Sequence, residues 1–405
     1  MVNEDRCDVA VVGGGLAGLA AAATAARAGR RVVLVDARSA AGGRARTDVV
    51  DGFALNQGPH ALYRGGAGWE VLREFGVHPT GRTPNYARPR WLRGGELQGV
   101  RRTLPPRALA DLLRAVGRRS GAAAAGRPTD AWIDVVARSA AGREALGALV
   151  RLTTYVADLD RLDATAAHQQ LRRSMRGVVY LHGGWQQLVD GLDAAARAAG
   201  VDVRLGARVR GVDVGAAGLR VETDGRPLVT GAVVLAAGGA AQAASLLDGA
   251  SPTVERWSAG ASPAHAACLD IGVTSLPRHH AGPVIGLDGG WYVVPHTPAA
   301  HLAPEGAHVI HAMRYLRRDQ VGVDHRPAIE ATVDLIHPAW REHSATSRFG
   351  RSLVVTHDVP RAGTDERERP THAVADLPGV FVAGDWITHD GMLADAALAS
   401  GRRAG

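Results

Sequence analysis

Short, unbroken apolar runs recur along this chain, and the first two stop at once on glycine or on an acid. Val9, Ala10, Val11 and Val12 form the first run, and Val32, Val33, Leu34 and Val35 form the second. Each is too short for a core helix and suits a parallel strand covered on both faces. Between them an alanine-rich stretch to Ala28 reads as a helix. Runs at 265–271, 291–294 and 308–313 read as strands of a second sheet, and 326–336 reads as a helix. A hairpin is expected around 91–97, with helices from Pro105, Asp130 and Gly142 and an alanine, glycine and proline loop at 120–128. The pattern predicts an α/β protein.

Between the first strand and its helix stands Gly13-Gly14-Gly15-Leu16-Ala17-Gly18. In this G-x-G-x-x-G, Gly13 permits the tight turn, Gly15 lets backbone approach a pyrophosphate, and Gly18 lets the helix pack closely on the strand. Leu16 and Ala17 open the helix, whose free N–H groups and roughly half a positive charge face the phosphates. The second strand ends on Asp36, followed by Ala37 and Arg38, about twenty residues past the turn. An acid there accepts from ribose hydroxyls and repels a 2′-phosphate, so FAD or NAD fits better than NADP. The motif does not recur, so a separate nicotinamide domain is not expected.

Gly42-Gly43-Arg44-Ala45-Arg46-Thr47 resembles the G-G-R-x-x-[ST] segment of flavin amine oxidases, protoporphyrinogen oxidases and phytoene desaturases. The resemblance implies that this backbone and Arg44 contact the phosphates and ribityl chain of FAD. Gly58, Pro59 and His60 resemble the next flavin-side turn of that superfamily. Gly384-Asp385, with Gly391, Met392 and Leu393 after it, resembles its terminal flavin motif, in which the aspartate holds the ribityl–phosphate region and the next helix points at the flavin pyrimidine. A helix N-terminus there would stabilise the negative charge of a reduced flavin. Segments around Val209 and Ala237 resemble the middle motifs, with the Val209 backbone at the adenine. The motifs run from residue 8 to residue 401.

These motifs fall in three blocks, 1–80, 176–250 and 350–405, expected to form one discontinuous, Rossmann-like FAD-binding domain. The intervening 81–175 and 251–349 are expected to build a substrate domain, a mixed sheet with a helical cap, as the resemblance implies.

Composition narrows the reading. The 405 residues, 46% of them hydrophobic, are enough for two packed domains. No apolar stretch approaches the roughly twenty residues of a membrane span, and residues 1–7 lack a signal-peptide core, so a cytoplasmic protein is expected. The net charge of +7 is spread along the chain and carried by arginine, with no lysine anywhere, so nucleic acid is not an expected partner. Arg101, Arg102, Arg107, Arg114, Arg118 and Arg119 flank a helical pattern of Leu109, Leu112, Leu113 and Val116. That segment suits either peripheral contact with an anionic membrane or a solvated basic face over a buried stripe. Cys7 and Cys268 do not indicate a disulfide framework. No cysteine lies near the terminal motif, so non-covalent FAD is expected, with a histidyl link such as His60 as the alternative. The many histidines, His308 and His311 included, lack a metal-binding spacing.

A substrate pocket is expected between the flavin and the second sheet. Its candidate walls are Trp291, Tyr292, His296, Trp386 and His389, with Trp386 beside the ring because it follows Asp385, and His296 and His389 as proton carriers. Many flavin amine oxidases place a lysine near flavin N5, and this chain has none. That departure favours dehydrogenation of a mostly apolar small molecule by hydride transfer over an O₂-using amine oxidase. A flavin-free prenyl-binding escort resembling GDP-dissociation inhibitors is the alternative of another class.

Overall fold

The computed structural model describes residues 4–84, 89–215, 218–276, 282–297, 299–364, 368–387 and 391–405. Two seven-stranded sheets organise the molecule. In the first, Asp5–Val12 lies parallel to Val32–Asp36 on one side and to Leu228–Leu235 on the other. Asp202–Leu205 and Val380–Val382 extend it at the two flanks in the same direction. The strands Val209–Gly215 and Gly218–Thr223 complete it as an antiparallel meander.

Both faces of this sheet are covered, which is why its central strands are apolar without alternation. Helices Leu16–Arg27, Gln186–Ala198 and Leu393–Ala404 close one face. Helices Ala240–Leu247 and Pro252–Gly260 close the other. The chain's two ends therefore meet. A side chain at Gly401 would lie 2.2 Å from the Ala17 carbonyl, so only glycine lets the last helix approach the first this closely.

The second sheet runs Ser344–Thr356, Ala264–Val273, His308–Leu316, Trp291–Pro295, Val284–Gly286, Arg90–Arg93, Glu96–Gly99. Its alternation is regular. Ala267, Leu269, Ile271, Ile310, Ala312 and Val293 face outward onto helix Arg326–Ile336. Ala266, Cys268, Val309, Met313, Tyr292 and Val294 face inward, toward Phe53, Leu55 and Tyr180. Helices from Val100 to Ser174 form a cap at one end.

Two expectations are corrected here. The loop foreseen at 120–128 begins as a helix, Arg118–Ala124, because its alanines carry strong helix propensity and pack at Ala124. The strand Ser344–Thr356 stays paired with Ala264–Val273 to its end, so the chain leaves the second sheet after Thr356 rather than near residue 350. Among the described residues no helix is long and apolar enough to cross a membrane.

Candidate cofactor and active site

The parallel strands of the first sheet end together at the point where the chain turns to opposite sides, the usual place for a ligand in such a sheet. Gly13 leaves its strand with φ +107°, and a Cβ there would sit 2.8 Å from the Ala237 nitrogen at the end of the neighbouring strand. A Cβ on Gly18 would lie 1.8 Å from the Gly13 carbonyl oxygen. Both glycines are thus demanded by the protein's own packing. Gly15 differs, since a Cβ there would meet no heavy atom within 4 Å. It caps helix Leu16–Arg27, and the space beside it is free for a phosphate group.

Asp36 organises this loop from the next strand. Its Oδ2 accepts from the Gly14 N–H at 2.6 Å and its Oδ1 from the Arg38 N–H at 2.8 Å, while Ala37 and Arg38 are exposed. The Asp36 carbonyl accepts from Ala207 N–H, which brings Val209 to the same end of the sheet. Gly42 donates to the Gly14 carbonyl at 2.8 Å, and Gly43 lies over Gly15. The G-G-R segment is therefore stitched to the glycine loop.

Arg44 crosses from there to the other end of the chain. Its guanidinium reaches Asp385 at 2.9 and 3.0 Å and donates to the Val355 carbonyl at 2.6 Å. His357 joins them, with Nδ1 2.9 Å from Asp385 Oδ1 and its backbone N–H donating to Oδ2 at 3.2 Å. Burial pushes the Asp385 carboxyl up, but the Arg44 charge and the His357 contacts outweigh it and hold the pKa well below the ordinary carboxylate value. Gly384 is tied to the last helix through the Ser400 hydroxyl. Gly391 and Met392 lead into that helix, and Leu393 starts it at φ +59°, a strained conformation for leucine.

The second sheet presses a polar cluster against the flavin-side turn. Asp270 accepts from Gly58 N–H at 3.2 Å, from Arg348 at 2.9 Å and from His311 Nδ1 at 2.6 Å. An ionised carboxylate can only accept, so His311 carries its proton on Nδ1 toward Asp270. His60 bonds the Gly58 carbonyl through Nδ1 at 2.9 Å and meets Trp185 edge-on, and the Pro59 carbonyl accepts from Tyr155. His296 stacks on Tyr180, with ring centres 3.9 Å apart, and meets His311 edge-on at 4.4 Å. Burial drives the His296 pKa well down and, to a lesser degree, that of His60, so both rings are neutral at pH 7. The Nε2 atoms of His296 and His311 are buried without a partner among the described residues.

Of the proposed wall residues, Tyr292 and His296 take inward places. Trp291 points outward, stacked under the Arg314 guanidinium, because alternation along its strand gives the inner position to Tyr292. Trp386 is not in the inner wall either. In the turn that the Ile387 N–H closes on the Gly384 carbonyl, Asp385 turns to Arg44 while Trp386, 1% exposed, packs with Trp257 in the layer under helix Pro252–Gly260. His389 lies outside the described residues.

Four residues of these clusters had not been singled out as site residues: Asp270, His311, Arg348 and His357. One signal existed, since Asp270 is an acid inside an otherwise apolar strand and a buried charge needs a partner. Arg348 and His357 carry no local signal, because what defines them is contact with residues 28 to 313 positions away.

The geometry fits FAD: open space at Gly15 before a helix N-terminus, an acid ending the second strand, and an arginine reaching Asp385 from the glycine segment. The family model for flavin containing amine oxidoreductases matches residues 16–265. A coproporphyrinogen III oxidase from Propionibacterium freudenreichii is 39% identical over 77 residues, which cover 18% of this chain and only 14% of that protein. The structure of an oxidoreductase from Methanosarcina mazei superposes with a TM-score of 0.79 at 17% identity, over 98% of this chain and 99% of that one. Putrescine oxidase bound to putrescine superposes at 0.73 with 18% identity, over 98% of both chains. The chain thus belongs to the flavin containing amine oxidoreductase family and is an FAD-dependent oxidoreductase.

Proposed function

We propose that this enzyme dehydrogenates a mostly apolar small molecule, at a C–C or C–N bond, between the flavin-side turn and the inner face of the second sheet. One observation carries the reading. The strands Ala264–Val273, Trp291–Pro295 and His308–Leu316 turn Ala266, Cys268, Tyr292, Val294 and Met313 inward, and their one inward carboxylate, Asp270, is already held by Arg348 and His311. Such a wall offers an ammonium group no unpaired carboxylate and offers an apolar skeleton a dry, close-packed surface.

Bound FAD supplies the hydride acceptor. Glycine-loop N–H groups at Gly15, Leu16 and Ala17 are the proposed phosphate ligands, with Asp36 at the ribose and Arg44 with Asp385 at the ribityl–phosphate region. Gly58, Pro59 and His60, fixed from behind by Asp270 and Tyr155, are the proposed floor beneath the substrate. His296, held neutral by burial and with Nε2 free of partners among the described residues, is suited to hydrogen-bond a substrate at that nitrogen.

The family match gives a second reading to test, an amine oxidase that passes electrons to O₂, against which the absence of lysine weighs. Anaerobic bleaching of the bound flavin separates the two. Apolar allylic or cyclic compounds should bleach it and simple alkylamines should not. Rapid bleaching by alkylamines, with hydrogen peroxide released on admitting air, would replace the first reading by the second.

A further inference from the structure

The helix Pro106–Ala115 is built inside out. Its protein-facing positions are Ala108, Asp111 and Ala115, all buried, while Leu109 and Leu113, one turn apart, are 44% and 71% exposed. Pro106 and Ala110 are exposed as well, so the outer side carries apolar residues at i, i+3, i+4 and i+7. That is the spacing of a buried stripe, turned toward water.

The inward carboxylate explains why the helix cannot roll over. Asp111 accepts from the Ser139 backbone N–H at 2.9 Å, from the Ser139 hydroxyl at 2.6 Å and from Arg114 at 2.6 Å, and Ser139 in turn caps helix Ala140–Thr154. Rotation that buried the leucines would strand all of these groups. The exposed stripe is therefore specified by the structure around it.

The surroundings of the stripe are strongly basic. Between Glu96 and Asp130 the chain contains one carboxylate, Asp111, and that one is buried. Arg101, Arg102, Arg107, Arg118 and Arg119 are all exposed, before, within and after the helix. Arg102 has a distant contact with Glu96 at 3.9 Å, and the other four form no ion pair among the described residues. An apolar stripe rimmed by free guanidinium groups complements a surface that is anionic outside and apolar within. A folded protein partner would have to supply both features on one patch, whereas an anionic bilayer presents them everywhere.

We propose that this face docks the enzyme on an anionic phospholipid bilayer, with Leu109 and Leu113 entering the headgroup boundary and the arginines meeting lipid phosphates. On the flank of the same helix, Leu112 packs against the inward cluster that holds Met313 and Tyr315. Docking therefore sets the inner wall close behind the lipid surface. The proposal does not depend on which molecule the enzyme oxidises.

Flotation of the full-length, FAD-loaded protein tests it, using vesicles of equal phosphatidylglycerol and phosphatidylcholine beside vesicles of phosphatidylcholine alone. At least about tenfold more protein should float with the anionic vesicles, and added salt should reverse this. The Leu109→Glu/Leu113→Glu variant should lose flotation while keeping flavin content and melting temperature, since both positions are exposed. Replacing Arg101, Arg102 and Arg107 by Gln should lower partition about fivefold per charge removed. The proposal is overturned by wild-type protein that ignores both vesicles or floats equally on both, or by variants that float like wild type. A lipid-free dimer that the two leucine changes dissociate would also overturn it and assign the face to a second copy.

Discussion

Asp385, at the end of the first sheet, and Asp270, within the second, are both buried and are each held by one arginine and one histidine. The two trios differ in what else they touch. The arginine side chain beside Asp385 is 40% exposed and reaches back to the glycine segment, so this trio lies on the surface proposed for the cofactor. Around Asp270 the histidine is fully enclosed, and the arginine also bonds Asp48 and the carbonyls of Leu55 and Asn56. That trio fastens the second sheet to the flavin-side turn. The same electrostatic unit thus faces a ligand in one place and locks protein to protein in the other, and solvent access to its histidine, 22% exposed beside Asp385 and fully enclosed beside Asp270, marks which is which.

The largest expected effect breaks this comparison at the locked end. Asp270→Ala leaves His311 and Arg348 without their shared carboxylate and should cost about 3–5 kcal/mol of stability, read by urea unfolding. Asp385→Ala should cost less, about 1–2 kcal/mol, because His357 as well as Arg44 is partly exposed and can rehydrate whereas His311 is fully enclosed, yet it should weaken FAD at least about tenfold in a fluorescence titration. Equal stability losses with unchanged FAD affinity would erase the distinction. Acid should act on both trios. Their carboxyl pKa values are lowered by folding, so the stability they contribute is present above the unfolded value near 4 and is lost as pH falls through the folded values.

A smaller effect sharpens the cofactor side. Gly15→Val should leave the FAD-free protein within about 0.5 kcal/mol of wild type, since the new side chain enters open space, and should abolish FAD retention. Full flavin content in this variant would remove the glycine loop from the cofactor site.

The smallest effect concerns Asp358, next to His357. Burial raises its pKa to about 6, although its carboxylate accepts from Ser262 N–H at 2.7 Å. The folded protein therefore binds this proton more tightly than the unfolded chain, and stability from this group declines as pH rises from 4 through 6. Asp358→Asn should gain about 1 kcal/mol at pH 8 and little at pH 4. A gain independent of pH would refute the assignment.

Legibility from sequence followed contact range. The glycine loop, its strand and Asp36 lie within thirty residues of one another, and the hydrogen bonds that shape them are local, so spacing alone located them. The helix Arg326–Ile336 and the strands beginning at Trp291 and His308 were likewise readable from periodicity. The faces of the second sheet were not. Which of Trp291 and Tyr292 points inward depends on the helix that covers the other side, and a one-residue change of phase exchanges the two. The outward leucines of Pro106–Ala115 were also beyond local reading, because periodicity gives the stripe but not the direction it faces.

By itself, then, the chain's residue order determined the dinucleotide loop, the acid that serves it and the flavin family, since these rest on short-range backbone geometry. Only the tertiary structure decided that Arg44 meets Asp385, that Asp270 binds the flavin-side turn, and that Leu109 and Leu113 face out. Each of those outcomes depends on burial and on charge pairing between segments far apart in the chain, where free energy is set by the whole packed environment rather than by neighbouring residues.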